Sequence, residues 1–269
     1  MSEGRDRRQS LQSLERGIAV IQVFSRERPA LTLSEVANLT GITRATARRI
    51  LLTLEKLGHV RSDGRLFSPT PRLLTLGWAY LSSLNLSELA LPLMEALVEE
   101  THESCSAATL DLPDVVYVAR VPTRRIMSIT LSVGTRLPAH CTSIGRVLLA
   151  GLPDDELDAF LAEAELEAFT EHTITDRGRL RAAIDTVRAE GWAMVDQELE
   201  IGLRSIAAPL RVGGATIAAI NLAAAAPRVP VDELRGVMLP ELRRTAELIS
   251  AALERERRPV PPVAVATAS

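Results

Sequence analysis

Near the start of the chain, apolar and polar positions alternate with a helical period. In LQSLERGIAVIQVFS the residues Leu11, Leu14, Ile18, Ile21 and Phe24 recur three or four apart, which puts them on one face of a helix. LTLSEVANLTGITRATARRILLTLEKLGHV carries two more such periods, separated by Gly41. Ser34 is positioned to cap a short helix over Glu35–Leu39, Gly41 supplies the turn, and Thr43 is positioned to cap a second helix reaching Leu57. At about 100° per residue, Ala47, Ile50, Leu51, Leu54 and Leu57 form one inward stripe on that helix, leaving Leu52 among the outward residues. Asp63-Gly64 is the dipeptide that a type I′ turn prefers, because both central residues need positive φ. His59–Ser62 and Arg65–Ser68 are therefore expected to pair as a hairpin. Three short helices followed by a hairpin describe a winged helix-turn-helix domain over residues 10–70.

Pro69 and Pro71 then punctuate the chain, and RLLTLGWAYLSSL opens a helix over residues 71–86 that is apolar on nearly every side. Such a helix has to be buried. Standing between two domains, it is expected to be covered by a second copy of the chain through Leu73, Leu76, Trp78, Tyr80 and Leu81, with burial inside one chain as the alternative. The pattern over residues 87–257 is mixed. A helix (Glu88–Thr101) precedes three strand-like runs, Cys105–Leu110, Val115–Val121 and Ile126–Val133, and a loop over Gly134–Cys141. A helix opened by Thr142 or Ser143, another from Asp154 and a third over Asp176–Glu190 come next. Strands near Ala193–Glu198, Ser205–Val212 and Ala215–Ala223 follow, with Gly213-Gly214 as a hairpin turn, before a closing helix over Val231–Glu256. This order predicts an α/β (α+β) domain built round one sheet. Residues 258–269, with no amphipathic period, are expected to be a disordered tail.

Charge sharpens the picture. The whole chain has a formal net charge of −3, but residues 1–80 carry 13 Lys or Arg against 7 Asp or Glu, and residues 81–269 carry 18 against 27. A basic module joined to a larger acidic domain is the footprint of nucleic-acid binding attached to another task. Part of the surplus lies on the outward face of the second helix and on the hairpin. Ser34, Thr43, Arg44, Ala45, Thr46, Arg48, Arg49 and Arg65 are accordingly the candidate DNA-contacting residues, those at the helix N-terminus reaching base edges and the more distal cations lying by phosphates. Only 8 aromatic residues among 269 leave little for stacking on single-stranded bases. The polar start MSEGRDRRQS and the absence of a long apolar run point to a cytoplasmic protein away from membranes, with Cys105 and Cys141 reduced.

The acidic domain carries one candidate site. His140 and Cys141 are adjacent, but neighbours on an extended segment point to opposite sides, which disfavours a nucleophile and its base. His102, Cys105, His140 and Cys141 lack the usual metal-ligand spacings. There is no P-loop or GxGxxG, so neither cofactor nor metal is expected, and no catalysis. A helix opening at Thr142–Ser143 does offer free N–H groups and two hydroxyls to an anion, and a carboxylate would fit there. Arg124, Arg125 and Arg136 are candidate counter-ions.

With both halves read, the chain resembles the IclR family of bacterial regulators over about residues 10–257. SLERGIAVIQVF and the helix-turn-helix segment carry the likeness at the N-terminus. VGTRLPAHCTSIGRVLLAGL, GWAMVDQELEIGLRSIAAPL and ATIAAINLAA carry it in the second domain. VYVARVPTRRIMSITLSVGTRLPAHCTSIGRVLLA is most similar to the regulators of aromatic-acid breakdown through the β-ketoadipate route. The resemblance implies a winged helix on a double-stranded DNA operator and a GAF-like domain that binds a small organic acid. It also implies a homodimer or tetramer. Carried over position by position, it implies a pocket of Ala139, His140, Cys141, Thr142, Asp196, Leu203, Ser205, Asn221 and Ala223, to which the helix start adds Ser143. A DNA-binding factor without an effector, and a winged helix fused to an enzyme, are the alternatives.

Overall fold

The computed structural model describes residues 11–25, 27–78, 86–123 and 131–256. It divides into two compact units, residues 1–83 and 84–269.

In the first unit α1 (Gln12–Gln22), α2 (Leu33–Thr40) and α3 (Arg44–Lys56) surround a small core of Val20, Leu31, Val36, Ala37, Ala47, Leu51, Leu54 and Val60. The cap of α2 is Thr32 and not Ser34, which lies inside the helix. The Thr32 hydroxyl accepts from the Glu35 N–H while the Glu35 carboxylate accepts from the Thr32 N–H, a reciprocal capping box. Gly41 ends α2 at φ +66°, where a side chain would be strained, and Thr43 caps α3 as expected.

The wing consists of β2 (Val60–Ser62) and β3 (Leu66–Pro69), in register Ser62↔Phe67. Its turn is centred on Gly64-Arg65 and not on Asp63-Gly64. Only Gly64 has positive φ there, and the Asp63 carboxylate accepts from the Arg65 and Leu66 N–H groups. A third strand, β1 (Leu31–Thr32), pairs with β3. The inward stripes also shift. On α1 Leu11, Leu14 and Ile18 are exposed and Val20 is buried, because the chain enters the core from the C-terminal half of the helix. On α3 Leu57 is exposed, since the helix ends there.

After a 3₁₀ turn (Pro71–Leu73), residues 74–78 are helical, with Leu74, Leu76 and Trp78 exposed within one chain. Tyr80 and Leu81 lie outside the described residues, as does the C-terminal stretch 258–269.

In the second unit, one antiparallel six-stranded sheet has the order β6-β5-β4-β9-β8-β7. Its strands are β4 (Ser104–Asp111), β5 (Asp114–Val121), β6 (Arg136–Pro138), β7 (Ala193–Asp196), β8 (Leu203–Val212) and β9 (Ala215–Ala225). β6 falls where a loop was expected, residues 131–133 of the expected third strand are not extended pairing partners, and residues 124–130 are outside the described residues. Gly213 and Gly214, both at positive φ, turn β8 into β9, as both central residues of a type I′ turn require.

One face of the sheet is packed by α4 (Leu86–Thr101) and by a C-terminal helical run of α8 (Val231–Glu233), a π turn (Leu234–Met238) and α9 (Leu239–Glu256). The other face carries α5 (Ser143–Ala150), α6 (Asp154–Glu163) and α7 (Arg177–Glu190) over the main core, which includes Tyr117, Ile144, Leu148, Phe160, Leu180 and Ile184. This layering is the expected α/β arrangement. No described helix is long and apolar enough to cross a membrane.

Candidate functional site

The outward face of α3 presents Arg44, Ala45, Arg48 and Arg49 to solvent, with Thr43 exposed at its cap and Arg65 exposed at the wing turn. None of these four arginines makes a salt bridge among the described residues. Uncompensated cations on one helix and the adjoining hairpin suit the phosphates of a duplex. Thr43 and Thr46 are bonded to each other, hydroxyl to hydroxyl at 2.9 Å, and the Thr46 N–H donates to the Thr43 hydroxyl. Their first duty is to start the helix.

The second unit contains a small, partly open cavity of about 40 Å³ between the sheet and the start of α5. Sheet register fixes its floor. Arg120, Ser106 and Asn221 lie directly across β5, β4 and β9, and the next row brings Ala223, Ser205 and Val195 across β9, β8 and β7. Between them Ala107 pairs with Ala119 and Ala108 with Tyr117, so Val118 is an extra residue on β5. This bulge shifts the alternation by one, and Tyr117 and Arg120, three apart, reach the same cavity. Cys141, Thr142 and Ser143 form its roof with Leu137 and Leu131, and Leu199 and Leu203 form its side.

The roof is positioned by two devices. The Thr142 hydroxyl caps α5, accepting from the Gly145 N–H at 3.1 Å and donating to the Pro138 carbonyl at 3.1 Å. Gly145 lets α5 lie directly on the loop before it, since a Cβ there would stand 2.0 Å from the Ala139 carbonyl oxygen.

Seven residues of the expected pocket line this cavity: Cys141, Thr142, Ser143, Leu203, Ser205, Asn221 and Ala223. Three do not. Ala139 is buried in the core beneath Gly145. His140 turns away, its Nε2–H donating to the Glu167 carbonyl at 3.0 Å and its ring 6.2 Å from that of Phe169. Asp196 follows Val195 on β7 and therefore faces the opposite side, where it takes a two-pronged bond from Arg204, each arm 2.8 Å. Of the expected counter-ions, Arg136 is bound to Asp111 and Asp114 at the exposed sheet edge, and Arg124 and Arg125 lie outside the described residues.

The cation the cavity does contain is Arg120, which sequence reasoning missed. Half-buried, it donates to the Ser106 hydroxyl at 3.2 Å, and no acidic side chain pairs with it among the described residues. Loss of hydration lowers its pKa. A second polar group is unfulfilled: the Ser143 hydroxyl oxygen is buried without a hydrogen-bond partner at the free end of α5. Burial pushes the Cys141 thiol up to about 12 and holds the Tyr117 hydroxyl at about 12, so neither ionises near neutrality. His140 is held neutral by burial and points elsewhere. No described cluster of His, Cys, Asp and Glu has the arrangement of a metal site.

Comparison with known proteins agrees with this division of labour. Residues 13–64 match the IclR helix-turn-helix domain, and residues 78–251 match the bacterial transcriptional regulator IclR C-terminal domain. The chain is 47% identical over 232 residues to the Pca regulon regulatory protein of Pseudomonas putida, covering 86% of this chain and 80% of that one. It is 37% identical over 239 residues to the p-hydroxybenzoate hydroxylase transcriptional activator of Acinetobacter baylyi, covering 87% and 88%. A crystal structure of a regulator from Rhodococcus sp. RHA1 superposes with TM-score 0.83 at 52% identity over 92% of this chain and all of that one. An IclR homologue from Microbacterium hydrocarbonoxydans in complex with 4-hydroxybenzoate superposes with TM-score 0.82 at 25% identity, covering 91% and 100%. With a winged helix-turn-helix in the first unit, a sheet-floored cavity in the second, and these matches along nearly its whole length, the chain belongs to the IclR family of bacterial DNA-binding transcriptional regulators.

Proposed function

We propose that this regulator binds its operator through α3 and the wing and changes its hold on DNA when a small organic acid enters the cavity of the second unit. The observation that carries the reading is Arg120, a half-buried guanidinium without an acidic partner among the described residues, in a cavity that also holds the unpartnered Ser143 hydroxyl. A cation that has lost part of its hydration gains from a counter-charge, and a carboxylate supplies one while forming charge-assisted hydrogen bonds. Similarity to the Pca and p-hydroxybenzoate hydroxylase regulators, and the 4-hydroxybenzoate complex of the Microbacterium homologue, support an acid from aromatic-compound breakdown.

Within this reading Arg44, Ala45, Arg48, Arg49 and Arg65 meet the duplex. The apolar helix after the wing, including Leu73, Leu76 and Trp78, is covered by a second copy, giving a homodimer or tetramer. The protein acts in the cytoplasm and catalyses no reaction, in keeping with a Cys141 thiol that burial keeps protonated.

The test is anisotropy of a labelled fragment from upstream of the protein's own gene, with and without 4-hydroxybenzoate, protocatechuate, muconate and β-ketoadipate. An acid-dependent change in operator affinity, absent with the corresponding amide, is expected. Specific DNA binding that ignores every acid would favour a factor without an effector.

A further inference from the structure

On the reading of the cavity as an effector site, the way its two loop walls are held decides how an occupant is felt elsewhere. The loop that leads into the roof, residues 139–143, and the side, residues 197–203, are largely irregular segments, so side chains must set their relative position. Arg146, on the first turn of α5, joins them. Its Nη2 lies 2.5 Å from Glu198 Oε2, and its Nε donates to the His140 carbonyl at 3.2 Å. Both side chains are under a tenth exposed. A buried ion pair adds little net stability relative to apolar residues of the same size, but losing one partner leaves an uncompensated charge; what such a pair can supply is a defined geometry.

A third segment is bonded to both walls. Glu198 Oε2 also accepts from the Ile174 N–H at 3.1 Å, and the Thr170 and Thr173 hydroxyls donate to the Gln197 and Glu198 carbonyls at 2.7 and 2.6 Å. The Glu167 carbonyl accepts from His140. Residues 167–174 thus touch the roof through His140 and the side through Gln197 and Glu198, while Phe169, Glu171 and His172 remain exposed. Gln197 itself has φ +60°, a left-handed conformation that a non-glycine residue keeps only when its surroundings hold it.

We infer that the Arg146–Glu198 pair is the tie that makes the two cavity walls and the exposed segment 167–174 move as one element. Displacement of Leu199 or Cys141 by an occupant is then passed to the surface at 167–174. Glu198 and Arg146 are positioning residues: neither lines the cavity.

Hydrogen exchange of the full chain, without any acid, tests this. Glu198→Gln is expected to raise exchange on the order of tenfold at 139–146, 167–174 and 197–203 together, while β4, β9 and the first unit keep their wild-type rates. Thr173→Val, which leaves the ion pair intact, should loosen 167–174 and 197–200 but not the roof. Ala223→Phe, filling the cavity floor as an occupant would, should alter exchange at 167–174. An effect of Glu198→Gln confined to 197–200, or an unchanged 167–174 in the filled cavity, overturns the inference. Should Glu198→Gln fail to fold, wild-type exchange throughout 167–174 and 197–200 in Thr173→Val does so. A failure of every acid to bind would instead defeat the effector reading and leave these exchange results standing.

Discussion

Arg120 and Ser106 stand opposite each other on neighbouring strands, and the guanidinium donates to the serine hydroxyl at 3.2 Å. A guanidinium has about five N–H donors, so most of its capacity remains for a ligand. Replacing Arg120 by Gln should weaken acid binding at least about tenfold, because a hydrogen bond to a charged group is worth roughly 1.5–3 kcal/mol. Operator affinity in the absence of acid should be unchanged. Equal acid affinity in wild type and variant would remove Arg120 from the site.

Ser143→Ala separates folding from binding. The hydroxyl has no hydrogen-bond partner within the protein, so its removal relieves a buried unsatisfied group and should leave the melting temperature unchanged or raise it, by up to about 1 kcal/mol in stability. Acid affinity should fall several-fold in the same variant. A large loss of stability would show that the hydroxyl already serves the fold.

On the DNA side, Arg44→Ala and Arg48→Ala together should weaken operator binding and flatten its salt dependence by about one unit for each phosphate that the variant no longer neutralises. A base-reading arginine would in addition cost about 1–3 kcal/mol on the operator alone. Undiminished operator binding by the double variant would mean that another face meets the duplex.

The buried, neutral His140 makes stability depend on pH. Its folded pKa lies below the ordinary value of 6.5 because burial disfavours the imidazolium, so the unfolded chain binds the proton more readily. Stability is therefore complete above about pH 6.5 and falls as the pH drops from there toward the folded pKa. Melting temperatures from pH 8 to pH 5 should show this decline, and His140→Gln should flatten it. A variant that retained the full decline would place the titrating group elsewhere.

Much of this architecture is legible in local sequence chemistry. Thr43, Thr142 and Asp176 each cap the helix that follows, and Gly213-Gly214 turns a hairpin, because each choice depends on only a few neighbouring residues. Thr32-Leu33-Ser34-Glu35 carries the capping-box pattern, which favours Thr32 over Ser34. The cavity floor is harder to read. Arg120 reaches it only because of the bulge at Val118, which is a property of the pairing of β4 with β5 and leaves no mark on either strand alone. Asp196 misses the floor for the related reason that one step along a strand changes the face. The two-residue β1 is too short to carry an alternation of its own.

The central requirement is that an acid binds in the cavity through its charge. Calorimetric titration of the full chain with 4-hydroxybenzoate, protocatechuate, muconate and β-ketoadipate, each beside its neutral amide, measures that dependence. Saturable heat is predicted for at least one acid, with its amide binding much more weakly, since charge-assisted hydrogen bonds are about twice as strong as neutral ones. No heat from any of the acids with folded protein, or an amide that binds as well as its acid, would contradict it.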